Sequence, residues 1–293
     1  MKLALLGGDR RMLFAAEHLS VLGHDVRLAG GAVATHFSAT AASAPDDWLD
    51  AAGQSESVIL PLCTQTADGA WILQAPPTAE KIPLATLAEV LHPGQPVLAG
   101  MPPEPVRALF FSRGLTLLDY FARDELAIAN AVPTAQGVLA LLMDALEVVL
   151  ADCAVCITGY GRCARALARA LRGLGTRVSI AVRRRRDLVQ VRVDGYTPLS
   201  LADFPENAAA FDAIINTVPE QILGAEALGA LKKDCLLIEI ASAPFGIDRA
   251  AAATLGLPLI YAPSLPGKAA PKTAGLIIAD TVHTMLQEWQ SRC

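Results

Sequence analysis

Short apolar runs closed by glycine, proline or charge alternate along the chain with longer stretches whose apolar residues recur at helical spacing. Residues 2–6 read as a buried strand, Gly7-Gly8 as a turn and 9–22 as a helix. Residues 25–28, 58–60, 97–99 and 116–118 read as further strands, bounded by glycine and proline. Strands alternating with helices imply a parallel sheet with helices on its faces. Residues 123–129 read as helical, and Pro133 sits where a proline suits the first turn of a new helix over 134–150. That helix is apolar on most sides and is expected to be buried, between domains or protomers.

A second unit follows: strand 153–157, glycine turn, helix 163–173, then strands 177–182, 212–215, 235–240 and 258–261, with a closing helix over 271–289. The expected fold is α/β: two doubly wound, parallel-sheet, Rossmann-like domains joined by a long helix, with a cofactor cleft between them. The expected boundaries are 1–130 for a substrate domain, with 271–293 packing back on it, and 131–270 for a dinucleotide domain that includes the connecting helix.

Composition narrows the class. With 293 residues and 53% hydrophobic content, two cores can be filled. A net charge of −5 gives no bulk attraction to nucleic acid or an anionic membrane. The apolar start is followed at once by Asp9, Arg10 and Arg11, the wrong order for a signal peptide. The best candidate span, 138–151, is too short and carries Asp144 and Glu147. Six scattered cysteines form no disulfide framework, so a cytoplasmic location is expected. Cys153 and Cys156 form a CxxC, but on a strand residues i and i+3 face opposite ways, so they read as two small buried hydrophobes. No metal site is expected.

The segment Gly159-Tyr160-Gly161-Arg162-Cys163-Ala164 fits G-x-G-x-x-A, after a strand and opening a helix, the context a dinucleotide needs. Gly159 permits the turn, Gly161 a close approach of pyrophosphate to the backbone, and Ala164 tight helix packing. The next strand ends without a carboxylate and runs into four arginines, Arg183 to Arg186. Guanidinium forks hold phosphate well, so NADP is the expected cofactor, with NAD the alternative. Arg183 and Arg184 are its first candidates. Asn216-Thr217-Val218-Pro219 and Ala241-Ser242 end later strands and are expected to face the nicotinamide half.

Beyond these motifs the chain resembles the A subunits of dipicolinate synthase, a sporulation dehydrogenase family. The resemblance covers nearly the whole chain. It rests on Leu6-Gly-Gly-Asp-Arg10, Arg123-Asp-Glu-Leu-Ala-Ile128, Asn130-Ala-Val-Pro-Thr134 with Gly137, the glycine turn and Asn216-Thr-Val-Pro219. The most restrictive segments are Ala262-Pro-Ser-Leu-Pro-Gly267 and Ala270-Pro-Lys-Thr-Ala-Gly275. It implies oxidation of a dihydrodipicolinate to pyridine-2,6-dicarboxylate with hydride passed to NAD(P)+. It also implies that the partner is a flavoprotein-like B subunit. A homo-oligomer is expected as well. Two departures stand out: Gln136 where the pattern has a glutamate, and Asp124-Glu125 where it has an Asp-Asp pair.

A small dicarboxylate substrate needs cationic and N–H or hydroxyl donors. Arg10 follows the Gly-Gly turn, and Lys272 and Thr273 open the last helix, whose N-terminus favours an anion. Asn130 and Thr134, the latter read as a helix start, are the other substrate candidates. Asp9 and Asp124 are the base candidates, with Lys272 a third catalytic one, and Asp9 could instead be a helix N-cap. Arg11 reads equally well as a solvated helix residue. His18, His24, His36, His92 and His283 fall in no site motif. Rival readings are a 2-hydroxyacid or shikimate-type dehydrogenase, or a non-catalytic NADP-binding chain. The segment Ala241-Ser-Ala-Pro-Phe-Gly246 lacks the arginine of the first, and the Lys–Asp pair of the second is absent.

Overall fold

The structure, a computed structural model, describes residues 1–29, 48–74 and 81–292. His36 and Cys293 lie outside the described residues. The chain divides into two compact units, Met1–Ala129 with Pro271–Cys293, and Asn130–Ala270.

The first unit is built from β1 (Lys2–Leu6), α1 (Arg10–Val21), β2 (Asp25–Ala29), α2 (Trp48–Gly53), β3 (Ser57–Gln65), β4 (Trp71–Gln74), β5 (Lys81–Pro83), α3 (Leu84–Val90), β6 (Val97–Gly100), α4 (Glu104–Ser112) and β7 (Leu117–Asp119). The strands β2-β1-β3-β6-β7 run parallel in that order, so the sheet reverses direction of growth beside β1. The far end of β3 pairs antiparallel with β4, and β4 with β5. This antiparallel extension corrects the expectation of a wholly parallel sheet. The sequence pattern stops the third strand at Leu60 because Pro61 follows, and a proline demotes a strand. Here a register shift between Leu60 and Leu62 absorbs it, and the strand continues.

Alternation divides the sheet's two faces. Leu3 and Leu5 point to a core shared with Met12, Ala15, Leu19, Ile278 and Val282, while Ala4 and Leu6 join Val58, Leu60 and Phe110 on the other side. The helix α12 (Pro271–Gln290) lies beside α1 and runs parallel to it. Their contacts step along both helices. Gly275 meets the backbone of Arg11 and Ala15, His18 bonds Asp280 at 2.8 Å, and His24, just past α1, bonds His283 at 2.8 Å.

A Cβ at Gly275 would run into the Arg11 carbonyl and the Phe14 side chain. A backbone obstacle cannot rotate away, so Gly275→Ala is expected to destabilise this unit by about 1–3 kcal/mol, despite alanine's better helix propensity. Thermal unfolding checks this, and an unchanged or raised melting temperature would refute the tight packing.

A single helix, α5 (Asp124–Ala145), carries its first turns in one unit and the rest in the other. Pro133 lies inside it, not at the start of a second helix as expected. A proline there removes one donor, leaving the Ala129 carbonyl without its intrahelical partner. The helix persists because apolar residues on both sides of Pro133 are anchored: Leu126 in the first core, Val138 and Leu142 in the second. It ends at Ala145 instead of 150, and Leu150–Asp152 forms a separate 3₁₀ turn.

Nor is it buried all round. Ile128, Val132 and Met143 are exposed. Counted as one helix of 22 residues, it is long and apolar enough, by length and composition, to cross a membrane. That corrects the expectation, drawn from 138–151 alone, that no such stretch exists. Its most apolar 18-residue window is 39% buried against the rest of the chain.

The second unit continues with β8 (Ala154–Thr158), α6 (Arg162–Gly173), β9 (Arg177–Val182), α7 (Arg185–Val193), β10 (Thr197–Ser200), α8 (Phe204–Asn207), β11 (Ala213–Asn216), α9 (Ala225–Gly229), β12 (Leu236–Glu239), α10 (Arg249–Leu255), β13 (Leu259–Tyr261) and α11 (Leu265–Ala269). All six strands are parallel, in the order β10-β9-β8-β11-β12-β13. Growth switches direction between β8 and β11, so their carboxyl ends flank a crevice. Cys153 and Cys156 are both free and buried, one in each of the two cores that sandwich this sheet.

Candidate dinucleotide and anion sites

The turn after β8 is shaped by Gly159, which sits at φ +85. A Cβ there would lie 2.7 Å from Val218 Cγ2 and 2.9 Å from Thr217 Oγ1. Gly161 differs: it is the N-cap of α6 at φ −81, and a Cβ on it would meet nothing. The helix therefore presents its first N–H groups to open space beside a residue without a side chain, which is what a pyrophosphate requires. Ala164 is fully buried against β8, as expected of the third motif position.

Tyr160 is anchored from outside. Its hydroxyl donates to Asp194 Oδ2 at 2.6 Å, and the Arg165 guanidinium lies 4.6 Å from its ring centroid. Burial, with the Asp194 hydrogen bond behind it, pushes the phenol well above its ordinary value, so it remains a donor. Cys163 has its thiol pushed up by burial, with the nearby Thr134 hydroxyl a smaller, opposing influence.

Beside this turn a pocket is walled by Val182, Leu201, Val218 and Ile222 and rimmed by Arg183, Arg184, Asp187 and Glu220. Arg183 follows β9 and Arg184 caps α7, while Arg185 and Arg186 belong to the helix itself. Arginine is a good helix former, so the run of four divides between strand end and helix.

Beneath the opposite side of the turn lies a residue that the motifs do not point to. Glu239, at the end of β12, is 1% exposed. Its Oε1 accepts from Asn216 Nδ2 at 2.7 Å and from the Ala241 amide at 3.0 Å. Its Oε2 accepts from the Gly246 and Ile247 amides at 2.9 and 3.0 Å. Asn216 in turn accepts from the Thr158 hydroxyl at 2.5 Å and the Val218 amide at 3.2 Å, and Thr217 donates to the Thr158 carbonyl at 2.7 Å. Three strand ends are thus pinned together by one satisfied buried network. Asn216 and Thr217 are structural members of it, while Pro219 and Ser242 lie exposed above and Ala241 is half-buried. The signal for it is a glutamate inside the apolar run 236–239, where burial demands partners.

In the first unit, the turn after β1 lies where that sheet's growth reverses. Asp9 is the N-cap of α1, accepting from the Arg11 amide at 2.9 Å, and it pairs with the Arg11 guanidinium at 2.7 Å. Burial would raise the Asp9 carboxyl, but Arg11 more than offsets it and holds it below the usual carboxylate range. A carboxylate so held is a weak proton acceptor at neutral pH. Arg11 is correspondingly withdrawn from solvent and is not a solvated helix residue.

Because α1 and α12 run parallel, exposed Arg10, Lys272 and Thr273 gather with two helix N-termini at one end of this unit. The arrangement favours an anion. Asp124 lies in the first turn of α5. Arg123, just before it, is a clamp, bonding Glu125 at 2.7 Å and Glu288 at 2.7 and 3.1 Å. Asn130 and Thr134 sit within α5, where the Thr134 hydroxyl donates to the Asn130 carbonyl at 2.8 Å, so Thr134 is not the helix start it was expected to be. Of the described histidines, His18 and His24 serve the α1–α12 packing. Among the described residues no cluster suited to a metal ion occurs.

A six-stranded sheet of this order with a glycine turn at its switch point defines a dinucleotide-binding protein of the dehydrogenase type. Comparison agrees: residues 131–258 match the NAD binding domain of S-adenosyl-L-homocysteine hydrolase, and residues 2–121 match the N-terminal domain of the A subunit of dipicolinate synthase. More narrowly, the chain is similar over nearly its whole length to the dipicolinate synthase A subunit. It is 28% identical to that protein from Bacillus subtilis (strain 168), over 99% of this chain and 97% of the other. The crystal structure of the B. subtilis protein superposes with a TM-score of 0.88, covering 100% of this chain and 98% of that one at 28% identity. The counterpart from Bacillus halodurans gives 0.86 at 26% identity, with 97% of each chain covered. A transhydrogenase from Sinorhizobium meliloti, at 17% identity and a TM-score of 0.68 over 97% of this chain and 93% of that one, shares the fold.

Proposed function

We propose that this chain oxidises a dihydrodipicolinate to dipicolinate during sporulation, in the cytoplasm, with NADP+ preferred over NAD+ and in partnership with a B subunit. The carrying observation is the glycine turn, whose unobstructed Gly161 and helix N-terminus sit at the switch point of a sheet in a chain similar from end to end to the dipicolinate synthase A subunit. A bound nicotinamide would accept the hydride. The second unit's own residues support the dinucleotide: α6 offers N–H groups to pyrophosphate, the pocket by Val182 and Ile222 suits an adenine, and Arg183 and Arg184 suit a 2′-phosphate. In the first unit Arg10, Lys272 and Thr273 are the proposed carboxylate binders. Asn130 and Thr134 of α5 are the other proposed substrate contacts.

The substrate loses one hydride and one proton as the ring becomes aromatic, so positioning does most of the work. Asp124 and Asp9 are the proposed candidates for the proton acceptor, with Lys272 a third catalytic one, and the pairing with Arg11 weakens Asp9 in that role.

The test is turnover of freshly generated dihydrodipicolinate with NADP+ or NAD+, with and without the B subunit, following reduced-cofactor absorbance and pyridine formation. Dipicolinate appearing with cofactor reduction, faster with NADP+, is the expected result. Faster turnover with NAD+ would remove the arginine argument and keep the enzyme. Absence of turnover under all conditions would overturn the reading.

A further inference from the structure

The strands β9 and β11 flank β8, so the residues that follow them stand on either side of the Gly159 turn. Arg183, after β9, and Glu220, after β11, bridge that gap: Arg183 Nη1 lies 3.2 and 3.4 Å from the two Glu220 carboxylate oxygens. Both side chains line the pocket beside that turn. We infer that Glu220 sets the balance between the two dinucleotides, acting as a resident anion on the arginine that a 2′-phosphate would otherwise claim. This rests on the dinucleotide reading of the site.

The physical case has two parts. A 2′-phosphate must draw the Arg183 guanidinium away from Glu220, and it must then sit near the carboxylate it displaced. Both effects weaken the binding of NADP+. Neither applies to NAD+, whose 2′-hydroxyl is uncharged and can donate a hydrogen bond to a carboxylate. Arg184 stands on the same rim, and among the described residues no carboxylate bonds it in the way Glu220 bonds Arg183, so it is the less encumbered phosphate ligand. The pair is more than half exposed, with side chains 63% and 59% accessible, so solvent screens it and the effect is modest.

The experiment is calorimetric titration of the full chain and its Glu220→Gln and Arg183→Gln variants with NADP+ and NAD+ at fixed low salt. Glu220→Gln is expected to tighten NADP+ by about fivefold relative to NAD+, the scale of an exposed charge pair. Arg183→Gln is expected to weaken NADP+ and leave NAD+ nearly unchanged. A Glu220→Gln variant that binds both cofactors in the wild-type ratio, or that binds NADP+ relatively worse, overturns the inference. Wild-type protein that binds neither cofactor fails the dinucleotide reading itself, a separate outcome visible before any variant is compared. Both positions are exposed, so loss of fold does not confound the ratio.

Discussion

Replacing Glu239 with alanine is expected to lower the unfolding temperature by roughly 10 °C, the largest single-residue effect on stability in the second unit. The carboxylate's two oxygens accept four hydrogen bonds, three of them from backbone amides. Gly246 and Ile247 are buried, and the half-buried Ala241 amide loses a partner as well. Each buried donor left without an acceptor costs about 1–3 kcal/mol, and water can reach some of them, so a total of about 3–5 kcal/mol follows. Asn216 suffers less, because its amide also donates to the Val218 carbonyl at 2.9 Å.

Glutamine at position 239 separates charge and shape from simple truncation. One of its termini still accepts, but its amide group faces two N–H donors, so it should lose about half as much as alanine. Thermal unfolding of both variants, with cofactor affinity measured beside it, checks the account. If alanine melts within about 2 °C of wild type, the network is not what holds the three strand ends together.

The second sheet was largely legible in the sequence because its strands are short, apolar and closed by glycine or polar turns. Residues 177–182 stand as expected, β8, β11 and β12 differ from expectation by one residue at each end, and β13 by one residue at its start. What escaped were elements without that signature. Thr197–Ser200 is a half-exposed edge strand of mixed polarity, and Arg185–Val193 is a helix hidden inside an arginine run whose charge dominates the pattern. Pro61 in the first unit and Pro133 in the second have the look of boundaries, and both are crossed, by a register shift and by tertiary anchoring respectively. Local rules about proline lost to packing that only the folded chain supplies.

The site divides in the same way. The glycine turn carries its chemistry in its own residues, so spacing alone located it. Glu239 and Glu220 act across the sheet, over 23 and 37 positions from their partners, which no local pattern reveals. The restrictive segments of the family resemblance also turn out to include packing residues. Gly137 gives room to Leu265 and Ala269, and Gly275 to the backbone of α1. Their sequence signal reflects close approach of elements as well as chemistry, while Lys272 and Thr273 remain exposed and available to an anion.

The two glycines of the turn provide the sharpest test of the dinucleotide site, because the structure assigns them opposite kinds of cost. Gly161→Ala is expected to leave stability within about 1 kcal/mol of wild type, since its φ of −81 suits alanine and its Cβ meets no protein atom; only the N-cap preference is lost. The methyl group would instead occupy the space in front of α6, where the pyrophosphate must approach. Overpacking of that kind costs about 1–3 kcal/mol, so NADP+ affinity should fall by about 10- to 100-fold. Gly159→Ala reverses the pattern. Its positive φ and the nearness of Val218 and Thr217 put the cost in the folded chain, about 2–4 kcal/mol, and affinity falls because the turn is displaced. Measuring melting temperature and NADP+ binding on both variants therefore separates a ligand-facing glycine from a conformational one. A Gly161→Ala protein that melts normally and binds NADP+ as tightly as wild type would mean that no pyrophosphate reaches this helix end, whatever the fold resembles.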